Sequence, residues 1–248
     1  LSGSGIDFTE EIHSDATVAE FTIPMKDMKL WDLDNPHLYE VKASIAGDDW
    51  SDEVSTYFGM RKVSAMEIPG KDFQYVALNN KPLYLKLALD QSYHPEGFYT
   101  FPSDEFMRDE ILRAKDMGLN GLRIHIKAEI PRKLYWADKL GLLIQEDVPN
   151  YWGEPDSIAK ANWDQVAKAE IARDYNSPSI FSWCLFNETW GLFSRDRDQE
   201  GNRFRKETQE WVREWYHKTK AYDPTRLVED NSPCNYDHVI TDINTWHK

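Results

Sequence analysis

Cysteine, basic charge and long apolar runs are all scarce in this sequence, and each scarcity removes a class of protein. Two cysteines in 248 residues cannot make a disulfide scaffold. Cys184 lies in an apolar run and Cys234 in a Pro/Asn-rich loop, so they are not expected to pair and the redox compartment stays open. Lys and Arg number 29 against 43 Asp and Glu, and the formal net charge of −14 argues against a nucleic-acid partner. No apolar run approaches the roughly 20 residues of a bilayer span, and the opening L-S-G-S-G-I-D lacks the basic-then-apolar build of a secretory signal. A soluble chain with no membrane partner is expected. Cytoplasm, periplasm and exterior stay equally open, since a removed signal leaves no trace, and an oligomer is compatible with all of them. Also missing are G-x-G-x-x-G, Walker-type and G-x-S-x-G runs, which argues against dinucleotides, nucleoside triphosphates and α/β-hydrolase chemistry. No H-x-H, H-E-x-x-H or C-x-x-C pair locks His94, His125, Asp147 and Glu188 into a metal site, so neither metal nor cofactor is expected.

Aromatic residues are plentiful. Ten Trp and twelve Tyr suit stacking on sugar rings and filling a core equally well, so composition alone does not choose. The chain is longer than one average domain, and its pattern changes along its length. From Gly5 to about Ala65 short alternating segments, Ile6–Ile12, Thr17–Pro24, His37–Ala46 and Glu53–Val63, are separated by turn residues and predict an antiparallel β-sandwich. Four strands are visible where an immunoglobulin-like sandwich has about seven, so part of that domain is expected to lie upstream. Met66–Gly70 reads as a linker, and Asn79-Asn80-Lys81-Pro82 as the turn of a hairpin.

Strands and helices then alternate, the mark of a parallel α/β sheet. Expected strands are Leu83–Leu89, Gly121–Ile126, Leu142–Val148, Ile180–Phe186, Leu227–Glu229 and Val239–Ile243. The helices between them open at Ser103, Pro131 and Asn162, with a further helix carrying Phe204, Thr208, Trp211 and Trp215 in a core-facing stripe. Six strands cannot close an eight-stranded barrel, which leaves a doubly wound sheet or a barrel lacking two units.

The strongest chemical signal is Ile180–Gly191, I-F-S-W-C-L-F-N-E-T-W-G. An apolar run suited to a strand buried on both faces stops at Asn187 and Glu188, so a carboxylate stands at the strand's C-terminal end, where parallel α/β folds do their chemistry. A lone Glu in such a turn ordinarily faces solvent. Here Asn187 precedes it, Trp190 follows it, and every other expected strand also ends in polar groups: Asp90 and Gln91, Arg123 and His125, Glu146 and Asp147, Glu229 and Asp230, Asp242 and Asn244. Arg123 and His125 point the same way from one strand, and a buried Arg must meet a carboxylate. Recurring rim carboxylates suit glycosidic bond cleavage.

These residues resemble glycoside hydrolase family 2, the β-galactosidases, β-glucuronidases and β-mannosidases. The matching motifs run in order: W-D-L-D-N-P-H-L-Y at 31–39, Y-F-G-M-R at 57–61, L-N-N-K-P-L-Y-L-K at 78–86, M-G-L-N-G-L-R-I-H at 117–125, Y-W-A-D-K-L-G-L-L at 135–143 and N-S-P-S-I-F-S-W-C-L-F-N-E at 176–188. The resemblance implies part of an immunoglobulin-like β-sandwich over 1–66 and the N-terminal portion of a catalytic (β/α)8 TIM barrel, about six strands of it, over 67–248. It implies retaining hydrolysis of β-linked sugars, with a carbohydrate as the substrate partner and no cofactor. Glu188 becomes the general acid/base, and a Glu beside apolar Phe186 and Trp190 suits that role. Asn187 is expected to touch the sugar's 2-hydroxyl and Arg123 to steady the catalytic carboxylates. His125, Asp90, Asp147, Trp190, Asp242, Trp246 and His247 are expected around the sugar. Two departures stand out. After the first strand the family's Lys-Gly turn is replaced by Lys86-Leu87-Ala88-Leu89-Asp90-Gln91, and the nucleophilic Glu of a seventh strand is expected beyond Lys248, so little hydrolysis is expected of these 248 residues alone. The rival readings are a carbohydrate-binding or catalytically incomplete relative, and an endo-acting cellulase or mannanase on a related barrel.

Overall fold

The computed structural model describes residues 2–3, 6–7, 17–20, 22–234 and 236–247. In the N-terminal part, β1 (Ser2–Gly3), β2 (Ile6–Asp7), β3 (Tyr39–Ala46) and β4 (Ser51–Phe58) form an antiparallel sheet in the order β2-β1-β3-β4. β5 (Val63–Glu67), β6 (Gln74–Leu78) and β7 (Lys81–Pro82) form a second one. The expected strand Glu53–Val63 is thus two strands in two sheets. It breaks at Gly59, where an added Cβ would sit 2.7 Å from Pro178, so the backbone must run close against the next unit. Residues 17–20 and 22–24 are irregular, and of Ile6–Ile12 only β2 lies within the described residues. The hairpin read at Asn79-Asn80 is present, with φ of 52° and 62°, left-handed values that Asn tolerates best among side-chain-bearing residues. Met66 and Glu67 belong to β5, so only the turn that follows, with Gly70 at φ 80°, separates the strands where a linker was expected.

The remainder is a β-α alternation: β8 (Leu87–Asp90), α1 (Asp104–Asp116), β9 (Gly121–Ile124), α2 (Pro131–Leu140), β10 (Leu143–Asp147), α3 (Ser157–Asp174), β11 (Ile180–Cys184), α4 (Lys206–Tyr222) and β12 (Leu227–Glu229). All five strands are parallel, in the order β12-β11-β10-β9-β8, so each neighbours its sequence predecessor across one helix. The result is a mixed α/β fold with a partial, barrel-like parallel sheet preceded by small antiparallel sheets. Capping explains the helix starts. Ser103 accepts from the amide of Phe106, and Pro131 takes the first helical position of α2, which closes on Gly141 at φ 73°. α3 begins five residues before the expected Asn162, because the Asp156 carboxylate accepts from the amide of Ala159 at 2.8 Å.

The expected sixth strand is not formed. Over Val239–Ile243 the backbone pairing with β12 reduces to Asp242, whose amide donates to the Val228 carbonyl and whose carboxylate accepts from the Val228 amide, both at 2.9 Å, with the Thr241 hydroxyl at 3.4 Å from the same carbonyl. The Thr241 hydroxyl binds the backbone of Ile243 on both its carbonyl and amide sides, a local bend that competes with a ladder. Five strands therefore stand where six were expected.

Alternation then decides which residues meet. Register pairs Arg123 with Gln145 and Leu89, and Cys184 with Asp147 and Glu229, so these share one face. The opposite face carries Ile124, Ile144, Trp183 and Val228, which pack on the helices. There Phe186 lies against Trp163 and Trp211, and Trp163 against Trp215, so the α4 stripe is core, as its spacing predicts. At the N-terminal ends of the strands, fully buried Trp31 joins Leu78, Leu143 and Phe181, and its indole donates to the Asp138 carbonyl at 2.7 Å. Arg61 donates to the carbonyls of Pro178, Ile180 and Thr225. The antiparallel part thus plugs the end of the sheet remote from Glu188.

Candidate active site

β11 is buried along its whole length, and the chain stays buried through Phe186 and Asn187. It then turns on two non-glycine residues in the left-handed region, Glu188 at φ 54° and Thr189 at φ 64°. Such backbone costs about 1–3 kcal/mol per residue and persists only where neighbours overdetermine it. Here they do: the Glu188 amide donates to the Ser232 carbonyl at 2.7 Å and the Thr189 amide to the Asn231 side chain at 2.9 Å. Asn150 donates to the carbonyls of Asn187 and Trp190. The loop after β12 therefore fixes the direction in which Glu188 leaves the sheet.

The Glu188 carboxylate is about one-third exposed, at 31%. The Trp190 indole donates to its Oε2 at 3.0 Å, and His247 Nδ1 lies 3.4 Å from Oε1. His247 Nε2 is 3.1 Å from the Ser232 hydroxyl, which accepts from Arg123 at 2.9 Å. The Arg123 fork also grips both Asp147 oxygens, at 2.9 and 2.8 Å, and donates to Asn187 Oδ1 at 2.9 Å. Burial opposes the guanidinium's charge, but the neighbouring anionic groups, Asp147 and Glu229 among them, outweigh it and raise its pKa. Burial pushes the adjacent Cys184 thiol far up, so it stays neutral. Glu229 accepts from Gln145 at 2.6 Å and from the Thr245 hydroxyl, and burial raises its pKa as well.

Of the residues singled out in sequence, Glu188, Asn187, Arg123, Asp147, Trp190 and His247 therefore form one connected network. His125 binds Gln91 instead, at 3.0 Å, and Trp246 stands 68% exposed. Asp90 and Asp242 are not brought in. Asp90 is the register partner of Ile124 and so faces the helices, where Lys133 of α2 holds it at 2.7 Å. Asp242 accepts from Tyr216 and Lys220 of α4, at 2.6 and 2.9 Å. Ser232 and Asn231, which join the network and hold the turn, carry no signal in the sequence, since they sit in a polar loop. Beside Glu188, Trp190 packs on Trp152 with ring centres 4.4 Å apart, at the edge of a cleft of about 690 Å³ that also carries Phe193 and Tyr236.

The family model for glycosyl hydrolases family 2 matches residues 4–61. The β-galactosidase of Thermoanaerobacterium thermosulfurigenes is 34% identical over 164 residues, which is 64% of this chain and 21% of that protein. Among solved structures, the β-glucuronidase of Parabacteroides merdae shares the fold, with a TM-score of 0.70, 24% identity, and coverage of 82% of this chain and 24% of that one. A family 2 member from Bacteroides cellulosilyticus is 26% identical with a TM-score of 0.63, covering 81% of this chain and 25% of that one. The chain thus spans about a fifth of the length of the first curated relatives it matches. Ordered motifs, family model and relatives agree, and the chain belongs to the family 2 glycoside hydrolases, on their β-galactosidase and β-glucuronidase-like side.

Proposed function

We propose that the protein carrying this chain is a retaining glycoside hydrolase acting on β-linked sugars, with Glu188 as general acid/base. In this reading residues 67–248 are the N-terminal portion of a (β/α)8 barrel and residues 1–66 part of an immunoglobulin-like sandwich. The observation that carries it is the anchoring of Glu188 at the C-terminal end of β11: a strained turn pinned from a neighbouring loop, with the carboxylate reached by Trp190 and His247 and left open to solvent. Active sites of parallel barrels sit at that end.

The chemistry follows from the contacts. The Trp190 N–H occupies Oε2 at 3.0 Å, so Oε1, with His247 only at 3.4 Å, is the oxygen that gives its proton to the glycosidic oxygen as the C–O bond breaks and the electron pair leaves with that oxygen. In the second step the same carboxylate takes a proton from the water that attacks the glycosyl-enzyme. Asn187 Oδ1 is taken by Arg123, which leaves the amide nitrogen to meet the sugar's 2-hydroxyl. Arg123 and Asp147 keep that amide in place, and the Trp152–Trp190 pair offers a stacking surface to the leaving group. The partner carboxylate, which retention requires about 5–5.5 Å away, is assigned to no residue of this chain.

Proton NMR of the first product released from an aryl β-glycoside by the complete polypeptide tests the reading. The β-anomer is expected first. Initial appearance of the α-anomer, or sugar binding with no turnover, would overturn it, the latter in favour of a carbohydrate-binding relative.

A further inference from the structure

On the face of β10 turned away from Arg123, Glu146 is 0% exposed and looks toward α3, where Glu170 and Asp174 stand one turn apart. One carboxylate oxygen from each of the three lies within 4.8 Å of the other two. A second observation sets this apart from an ordinary acidic cluster. Both oxygens of Glu170, a residue only 4% exposed, and Oε2 of Glu146 are buried with no hydrogen-bond partner among the described residues. The other Glu146 oxygen accepts from the Glu129 amide at 3.0 Å, and Arg173 grips both Asp174 oxygens at 2.8 and 2.6 Å. The Glu129 carboxylate is already matched by Lys127 and Lys133, at 3.2 and 3.5 Å. Three carboxylates against one guanidinium leave two formal negative charges in a place almost closed to water, and buried charge demands compensation.

We propose that Glu146, Glu170 and Asp174 hold one hard divalent cation of the calcium class, which fastens α3 to the parallel sheet. Oxygen ligands at about 2.3–2.6 Å from one ion lie no more than about 5.2 Å apart, and the three oxygens here all fall within 4.8 Å of one another. The donor set has no imidazole or thiolate, so it selects hard ions, and its burial leaves little room for the waters that Mg²⁺ retains. The competitor for the site is the proton. Burial first, and mutual repulsion second, push the Glu146 and Glu170 carboxyl groups well above the usual carboxylate range. The cluster lies behind the sheet from Glu188, so it stands apart from the proposed reaction.

The test strips the complete polypeptide with a chelator, dialyses it, and titrates it with CaCl2 at neutral pH by calorimetry, with thermal unfolding followed at each addition. MgCl2 and MnCl2 form parallel arms. One Ca²⁺ per chain is expected, with a Tm that climbs with free ion, since a ligand of the folded state alone stabilises it by mass action. Glu170→Gln is expected to lose both the bound ion and the climb. In chelator this variant should melt no lower than the wild type, because it removes one of the repelling charges. Asp174→Asn gives a second reading should Glu170→Gln not fold. Absence of binding and of any Tm shift, a response to Mg²⁺ alone, or an equal Tm climb in the variants would overturn the assignment and leave a proton-sharing carboxyl cluster.

Discussion

Arg123 holds three of the rim residues at once, so its removal shows how far the site depends on one side chain. Its side chain is 14% exposed and that of Asp147 1%. Arg123→Met keeps most of the stem but leaves Asp147 with the Ile126 amide at 3.1 Å as its remaining donor, strips Asn187 Oδ1 of its donor, and leaves the Ser232 hydroxyl with His247 alone. Breaking a buried ion pair from one side costs about 3–5 kcal/mol, because the orphaned charge stays buried. The neutral acceptor left unpaired, Asn187 Oδ1, falls within that range, since water can reach part of the rim. Asp147→Asn added to Arg123→Met removes the orphaned charge and should recover roughly 2 kcal/mol. Arg123→Lys should fall between, since one ammonium cannot reproduce a fork that meets three residues. Urea unfolding of wild type, both singles and the double variant, extrapolated linearly, gives the cycle. A loss below about 1 kcal/mol for Arg123→Met, with additive singles, would refute this, because the Arg123–Asp147 pair would then contribute no more than an exposed one.

Two further predictions concern the frame. Trp31→Ala empties a fully buried volume and takes the donor from the Asp138 carbonyl, so a loss of about 3–5 kcal/mol is expected in the same urea assay; a loss near zero would mean that the antiparallel part does not plug the sheet. Asp223 is buried; desolvation works against its charge, but Arg226 at 2.6 Å, with donors from Thr225 and Trp183, still brings its pKa below the ordinary 3.8. A carboxyl depressed in the folded state stabilises above its unfolded pKa and loses that contribution as pH falls through the folded one. The stability advantage of wild type over Asp223→Asn should therefore be full at neutral pH and shrink below about pH 3.8; an advantage that grows toward acid would contradict the pairing.

Much of this architecture was legible because period and punctuation agree. Ile180–Cys184 reads as a doubly buried strand and is one, and Ser103, Pro131 and Gly141 mark helix ends where they occur. The failures have physical causes. Val239–Ile243 has the composition of a strand, yet the side chains of Thr241 and Asp242 bind local and neighbouring backbone, and that wins over propensity. The position of Asp90 at a strand end points to the rim, but a shift of one residue moves a side chain to the opposite face, and register fixes that only in three dimensions. The same alternation sends Asp147 inward to Arg123 and its neighbour Glu146 outward to α3, a separation invisible in the dipeptide itself. Ser232 and Asn231 act through a loop that comes back beside Glu188, and nothing local marks them.

The central claim is the role of Glu188, and the kinetics of Glu188→Gln in the complete enzyme test it most directly. Gln is isosteric and keeps an acceptor for the Trp190 indole, but it can neither give nor take the catalytic proton. Turnover of β-glycosides with poor, alkoxide-type leaving groups should fall by about 10²–10⁴-fold, while activated aryl glycosides, which need no protonation, should lose far less in their first step. Equal rates for wild type and variant across both leaving-group classes would contradict the assignment.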